Sequence, residues 1–266
     1  MPDPTARDHP GRVTGAGVVV TGGGNGIGRA IAHRLAAGGA RVVVNDLDGD
    51  AAQAVAREVR GYAVPGDAAS EQGVRNLVSA AHEHLGDIDV YCANAGVAVG
   101  AGPETAEPVW QHAWEVNVMA HVRAARALVP EWLDRGQGRF VATVSAAGLL
   151  TMLGSAPYSV TKHAALAHAE WLSATYGHRG ITVQCICPQG VRTQILAGTG
   201  SAGDVLLQGT AIEPEQVADS LWDGLADDRF LVLPHPEVGE FYVHRAADPD
   251  RWLAGMRRLQ QRIDER

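Results

Sequence analysis

The chain has no apolar run approaching the ~20 residues needed to span a bilayer, no block of basic residues, and only three cysteines among 266 residues. The first absence argues against a membrane protein. Residues 1–15 are polar and proline-containing, with no apolar segment like that of a signal peptide, and read as a flexible leader; we set the boundary at 1–14. The second absence accompanies a formal net charge of −8, from 22 Lys+Arg against 30 Asp+Glu, which disfavours nucleic acid and anionic membrane as partners. Cys92, Cys185 and Cys187 lie in apolar stretches, and an odd number without a spaced framework points to reduced thiols in a cytoplasmic protein. The eleven histidines are scattered, and His82-x-His84 has no cysteine or carboxylate cluster to complete a metal site. No linker or internal repeat divides the rest, so residues 15–266 read as one domain.

What is present is a soluble α/β composition: 46% hydrophobic, 20% charged, with 32 glycines for tight turns. Short β-branched runs at 18–22, 41–46, 62–65, 88–93, 138–145, 181–187 and 230–234 alternate with helical periodicity at 29–37, 51–60, 71–85, 157–177 and after Glu213. A long helix begins near Pro108, carries its apolar stripe from Trp110 to Trp132, and is expected to kink or end early at Pro130. A terminal amphipathic helix is expected over 248–266. The alternation implies a single-domain, doubly wound parallel sheet, Rossmann-like, with helices on both faces.

Between the first strand and helix lies Thr21-Gly22-x-x-x-Gly26-Ile27-Gly28. Glycines there let the backbone approach a pyrophosphate, and the helix N-terminus adds unpaired N–H groups and a positive dipole end. Packing alone could also demand such a turn. Asp46 closes the second strand; a carboxylate there can accept both adenosine ribose hydroxyls and would repel a 2′-phosphate. Asn25 is uncharged, so no cation awaits that phosphate, and NAD is expected over NADP. Asp46 could instead cap the next helix, a task Asp48 could perform equally well.

Tyr158 and Lys162 are four residues apart, one turn along a helix face. An ammonium ~5 Å from a phenol, at an effective dielectric of about 20, favours phenolate by roughly 3 kcal/mol. The tyrosine could then exchange protons near neutrality. The spacing alone is common in helices, where a packed Tyr often neighbours a solvated Lys.

With both motifs placed, the chain resembles the short-chain dehydrogenase/reductase family, from about Gly17 to Thr193 and again after Glu213. The resemblance implies that Asp67, with Ala68 beside it, contacts adenine, and that Asn94-Ala95-Gly96 steadies the sheet and lines the cofactor site. It implies a catalytic set of Asn117, Ser145, Tyr158 and Lys162, with Ser145 thirteen residues before Tyr158. Pro188, Val191 and Thr193 match the segment that holds the nicotinamide carboxamide. Gln189 stands where the family has glycine, which puts the local backbone in doubt. The ending Phe230-Leu-Val-Leu-Pro-His-Pro236 replaces the family's usual Asp-Gly-Gly close.

The expected activity is NAD-dependent interconversion of a secondary alcohol and a ketone; an NAD-binding module without catalysis is the alternative. Candidate substrate segments at 97–102, 149–153 and 194–196 are mostly apolar, and the nearest cation, Arg192, could point to solvent. A small, uncharged, moderately hydrophobic substrate fits them. The substrate loop spans 192–212, and its part from Ala197 to Ala211 reads as a mobile lid. Trp110, Trp114 and Trp171 lie on the helices that pair across the family's dimer interface, so a homodimer or homotetramer is expected.

Overall fold

The computed structural model describes residues 13–198, 202–203 and 206–265. Most of the expected leader, part of the expected lid and the last residue lie outside them. Among the described residues, seven parallel strands form one sheet: β1 (Gly17–Thr21), β2 (Arg41–Asn45), β3 (Tyr62–Ala63), β4 (Val90–Ala93), β5 (Gly138–Thr143), β6 (Ile181–Ile186) and β7 (Leu231–Val232). Their order is β3-β2-β1-β4-β5-β6-β7. The chain winds outward from β1, then returns to lay β4 on its other side. That reversal opens a crevice at the strands' carboxyl ends, where ligands of such sheets bind.

Alternate side chains of each strand serve opposite cores. Val18, Val20, Val42 and Val44 pack with α1 (Gly26–Ala37), α2 (Gly49–Glu58) and a later helix, α9 (Pro214–Asp227). Val19, Val43, Tyr91 and Phe140 pack with α3 (Glu71–Leu85), α5 (Ala120–Arg135) and α7 (Ala156–Tyr176). Trp132 is fully buried in the second core, and its indole N–H donates to the Ile88 carbonyl at 2.7 Å. Burial on both faces is why these strands read as continuous apolar runs.

The long helix departs from expectation. It comprises α4 (Glu107–Trp114), a π turn over Glu115–Met119, and then α5. Pro130 does not end α5, which continues to Arg135 and stops at Gly136 with φ 69°. Pro130 and Arg126, whose carbonyl loses its donor, are both exposed, so water can satisfy the orphaned group. The interruption instead falls on Asn117. Two short helices follow strands β5 and β6: α6 (Ala147–Leu150) and α8 (Gln194–Ala197). The chain ends in a helical hairpin, α10 (Glu237–Ala247) and α11 (Pro249–Asp264). Only α11 was expected. α10 contains Gly239 and the poor helix formers Phe241, Tyr242 and Val243, so its sequence carries no helical signal.

Candidate active site

At the switch point the β1 and β4 ends are stitched together. Thr21 Oγ1 accepts the amides of Asn94 (3.0 Å) and Ala95 (3.1 Å), while Asn94 Nδ2 donates to the carbonyls of Thr21 (3.0 Å) and Gly22 (3.2 Å). Gly22 turns with φ 59°. α1 begins at Gly26, three residues earlier than its periodicity suggested, so Gly26-Ile27-Gly28 is its first turn. A Cβ on Gly28 would lie 2.1 Å from the Gly22 carbonyl oxygen and 2.5 Å from Asn94 Nδ2. No side chain fits there, and the first-turn amides stay open toward the crevice.

Asp46 is not the cap of α2; Asp48 is, accepting the amides of Asp50 and Ala51 at 3.1 Å. Asp46 Oδ2 accepts the Gly24 amide at 2.9 Å and Oδ1 the Asp48 amide at 3.1 Å. These bonds hold the carboxylate against the glycine turn, with acceptor capacity remaining for the cavity it lines. Asp67 caps its own turn by accepting the Ala69 and Ser70 amides. Burial works to raise its carboxyl pKa, but those bonds and the Arg123 guanidinium outweigh it and hold it below the ordinary value.

On the other side of the crevice, α7 is capped by Ser155 and carries Pro157 in its first turn, followed directly by Tyr158. The Lys162 ammonium lies 5.6 Å from the Tyr158 ring centroid and donates to the Thr143 carbonyl at 3.0 Å. Ser145, in the turn after β5, accepts the Ala147 amide at 3.1 Å and donates to the Pro188 carbonyl at 3.4 Å. Asn117 is completely buried: Nδ2 donates to the Val97 carbonyl (2.9 Å) and Thr161 Oγ1 (3.0 Å), and Oδ1 accepts the Val97 amide (2.9 Å). Its side chain therefore ties the strand β4 exit to α7.

The electrostatics differ from the pairwise expectation. Burial pushes the Tyr158 phenol up, the nearby Ser145 hydroxyl pulls it down, and the net shift is upward. Burial also lowers Lys162 to about 8. Coulomb attraction across one helical turn is outweighed by the cost of placing either charge in this wall. Buried His121, one turn beyond Asn117, is held down to about 3 by burial and by the charges of Lys162 and His168.

One cavity of about 1400 Å³ joins these groups. Of the anticipated residues, Gly22, Asn25, Gly26, Ile27, Asp46, Asp67, Ala68, Asn94, Ala95, Gly96, Ser145, Tyr158, Lys162, Pro188, Val191 and Thr193 line it. Gly28 and Asn117 stand behind the wall as supports. Gln189 causes no strain: its φ is not positive, and its amide donates to Nδ1 of buried His235 at 3.1 Å. His235 Nε2 meets the Thr210 carbonyl at 3.0 Å. The two departures from the family pattern, Gln189 and the Pro-His-Pro ending, thus brace each other. Arg192 is exposed and paired with Glu213 at 2.9 Å.

A family model for short chain dehydrogenases matches residues 16–202. The chain belongs to the short-chain dehydrogenase family. This dehydrogenase is 38% identical over 237 residues to the 1-deoxy-11-beta-hydroxypentalenate dehydrogenase of Streptomyces exfoliatus, covering 83% of each chain. It superimposes with a TM-score of 0.83 on a short chain dehydrogenase/reductase from Burkholderia phymatum in complex with NAD, at 26% identity, covering 90% of this chain and 95% of that one. A 7 alpha-hydroxysteroid dehydrogenase complexed with NADH and 7-oxo glycochenodeoxycholic acid matches at 25% identity and a TM-score of 0.74, over 84% of this chain and 92% of that one. The chain is accordingly an oxidoreductase of the short-chain dehydrogenase type.

Sequence reasoning missed several contributors. Arg123 donates to the Ala69 carbonyl at 2.5 Å and pairs with Glu115 at 2.6 Å, bracing the Asp67 turn. The only sequence signal was a cation in a mostly apolar helix. Phe241, Trp252, Met256 and Leu259 also line the cavity; the last three follow i, i+4, i+7 spacing, which was legible but had no assigned target.

Proposed function

We propose that this dehydrogenase interconverts a secondary alcohol and its ketone with NAD as the hydride carrier and Tyr158 as the acid/base. One observation carries the reading: Tyr158, Ser145 and Lys162 share a cavity with a glycine turn, open helix amides and an acidic strand end. The Gly22–Gly28 turn, whose Gly28 has no room for a Cβ, and the Asp46 carboxylate suit a dinucleotide with free ribose hydroxyls. Bound there, the nicotinamide supplies the hydride acceptor or donor. The B. phymatum relative's complex with NAD supports the same choice.

Ser145 donates a hydrogen bond to the substrate oxygen and stabilises charge developing on it. Tyr158 moves the proton at that oxygen. In the ligand-free protein the phenol is kept protonated by burial, the form that donates to a ketone; oxidation requires that proton to leave first. Lys162 provides the neighbouring positive charge, and Asn117 positions the α7 face and the water that links Lys162 to solvent. Phenylalanine at position 158 is expected to lower turnover roughly a hundred- to ten-thousand-fold while NAD binding survives. Undiminished turnover in Tyr158→Phe would sink the scheme. Tight NAD binding without any reduced-nicotinamide absorbance across an alcohol panel would favour a silent binding module instead.

The relatives' names, a hydroxypentalenate and a hydroxysteroid dehydrogenase, support a hydroxyl carried on an apolar carbon skeleton. Three buried free thiols suit a reducing cytoplasm. Trp114 and Trp171 are 41% and 55% exposed on α4 and α7, and we read them as the interface of a homodimer or homotetramer. Light scattering at micromolar concentration should report at least a dimer; a monomer refutes this.

A further inference from the structure

The C-terminal hairpin is a helix pair of unequal attachment. α10 is anchored: Val238 is fully buried, and Arg245 donates to the Leu149 carbonyl, beside Ser145, and lies 3.1 Å from Nε2 of His163 on the catalytic helix. α11 is held less firmly: none of its residues is buried, and of the apolar stripe formed by Trp252, Met256 and Leu259 it is Trp252 that packs against the core. An amphipathic helix ordinarily buries that stripe against a core. Here the stripe lines the cavity that holds Tyr158, with Phe241 of α10 6.3 Å from the Trp252 ring. Leu150 and Met152 line the same cavity, and the helix that carries Leu150 packs directly against α10.

Two further observations say what covers the stripe. The cavity of about 1400 Å³ exceeds the roughly 300–1,000 Å³ of a pocket for one drug-sized ligand, so it has room for a second organic molecule beside a dinucleotide. The cations lining it are engaged: Arg29 with Glu58 at 3.0 Å, Arg192 with Glu213, and Lys162 with the Thr143 carbonyl. Recognition of the substrate's skeleton therefore falls to apolar contact. A small alcohol seated at Ser145 and Tyr158 would leave the stripe in water, whereas a bulky one would cover it.

Building on the reading above, we infer that the α10–α11 hairpin is the skeleton-binding wall of this enzyme, and that its substrate is a bulky, predominantly hydrocarbon secondary alcohol or ketone. Phe241 and Trp252 are its specificity-determining residues. They touch the part of the substrate remote from the reacting carbon, so their contacts raise selectivity for size without taking part in proton or hydride movement.

The test uses the full chain loaded with NAD, with 2-propanol and decahydro-2-naphthol as substrates and decahydro-2-naphthalenone as a binding probe. In the wild type, kcat/KM should favour the decahydronaphthol by roughly a hundred-fold or more. In Phe241→Ala/Trp252→Ala that ratio should fall about ten-fold or more, mainly through KM for the larger alcohol. The calorimetric Kd of the ketone should weaken by a similar factor. Both side chains are partly exposed, so the fold should survive the truncation, which thermal unfolding checks. Equal preference for the two alcohols, or a variant that loses both equally, overturns the inference and leaves the dehydrogenase reading intact. Binding of the ketone that depends on Phe241 and Trp252, without turnover of any alcohol, refutes the dehydrogenase reading and leaves the wall standing.

Discussion

Replacing Asp46 by asparagine isolates one charge. The carboxylate is fixed by two amides, Gly24 at 2.9 Å on Oδ2 and Asp48 at 3.1 Å on Oδ1. Asparagine keeps one acceptor oxygen and loses the other, costing about 1 kcal/mol of local stability. A 2′-phosphate brought ~5 Å from the native carboxylate meets about 3 kcal/mol of repulsion per unit charge at an effective dielectric of ~20. Asp46 is partly exposed, and physiological salt screens such a pair. The discrimination it supplies is therefore about 1–3 kcal/mol, a factor of roughly five to a hundred and fifty. Asp46→Asn should shrink the NAD-to-NADP ratio of kcat/KM by that factor, partly by weakening NAD, because a neutral amide is a poorer acceptor for ribose hydroxyls. The assay is kcat/KM for both cofactors with one alcohol, repeated at low and high salt. An unchanged ratio, or a wild-type preference for NADP, refutes the assignment.

Gly28→Ala drives a methyl against the Gly22 carbonyl and the Asn94 amide, so NAD binding by calorimetry should weaken at least ten-fold and the melting temperature should fall; normal affinity would show that the turn has slack. Lys162→Met abolishes turnover yet should stabilise the ligand-free protein at pH 7 by about 1–3 kcal/mol, because burial lowers this lysine from 10.5 to about 8. The folded value lies below the unfolded one, so the penalty is full below pH ~8 and disappears as pH rises to ~10.5. Melting temperatures of wild type and variant should therefore converge over that window; a variant less stable at pH 7 contradicts the reasoning. Thr161→Val removes the acceptor of Asn117 Nδ2 and should cost about 1–3 kcal/mol of stability, with equilibrium denaturation as the readout.

The strands were legible because burial on both faces demands β-branched runs, and the β1–α1 turn because a phosphate-sized approach demands glycine. Other features need three dimensions. A π turn adds one residue to a helical circuit, and the apolar stripe from Trp110 to Trp132 looks the same with or without it, so the break at Asn117 was invisible. The sign of the Tyr158 shift was misread because spacing conveys charge separation but not desolvation. Gln189 looked like a disruption until His235, forty-six residues later, proved to accept its amide. α10 was hidden because Gly239, Phe241, Tyr242 and Val243 are poor helix formers: Phe241 lines the cavity, whereas Tyr242 and Val243 are exposed.

The hairpin's position in the chain has a consequence for how the protein can change. Every group at the glycine turn, the acidic strand end and the Tyr158 cluster is in place by Thr193, and the wall facing them comes after β7, a two-residue edge strand. A single crossover near residues 233–236 would exchange the whole wall and leave the earlier machinery untouched. A chimera joined there should preserve Val238, His235 and Arg245, side chains through which the ending grips the rest, together with the Trp252 ring that packs on the core.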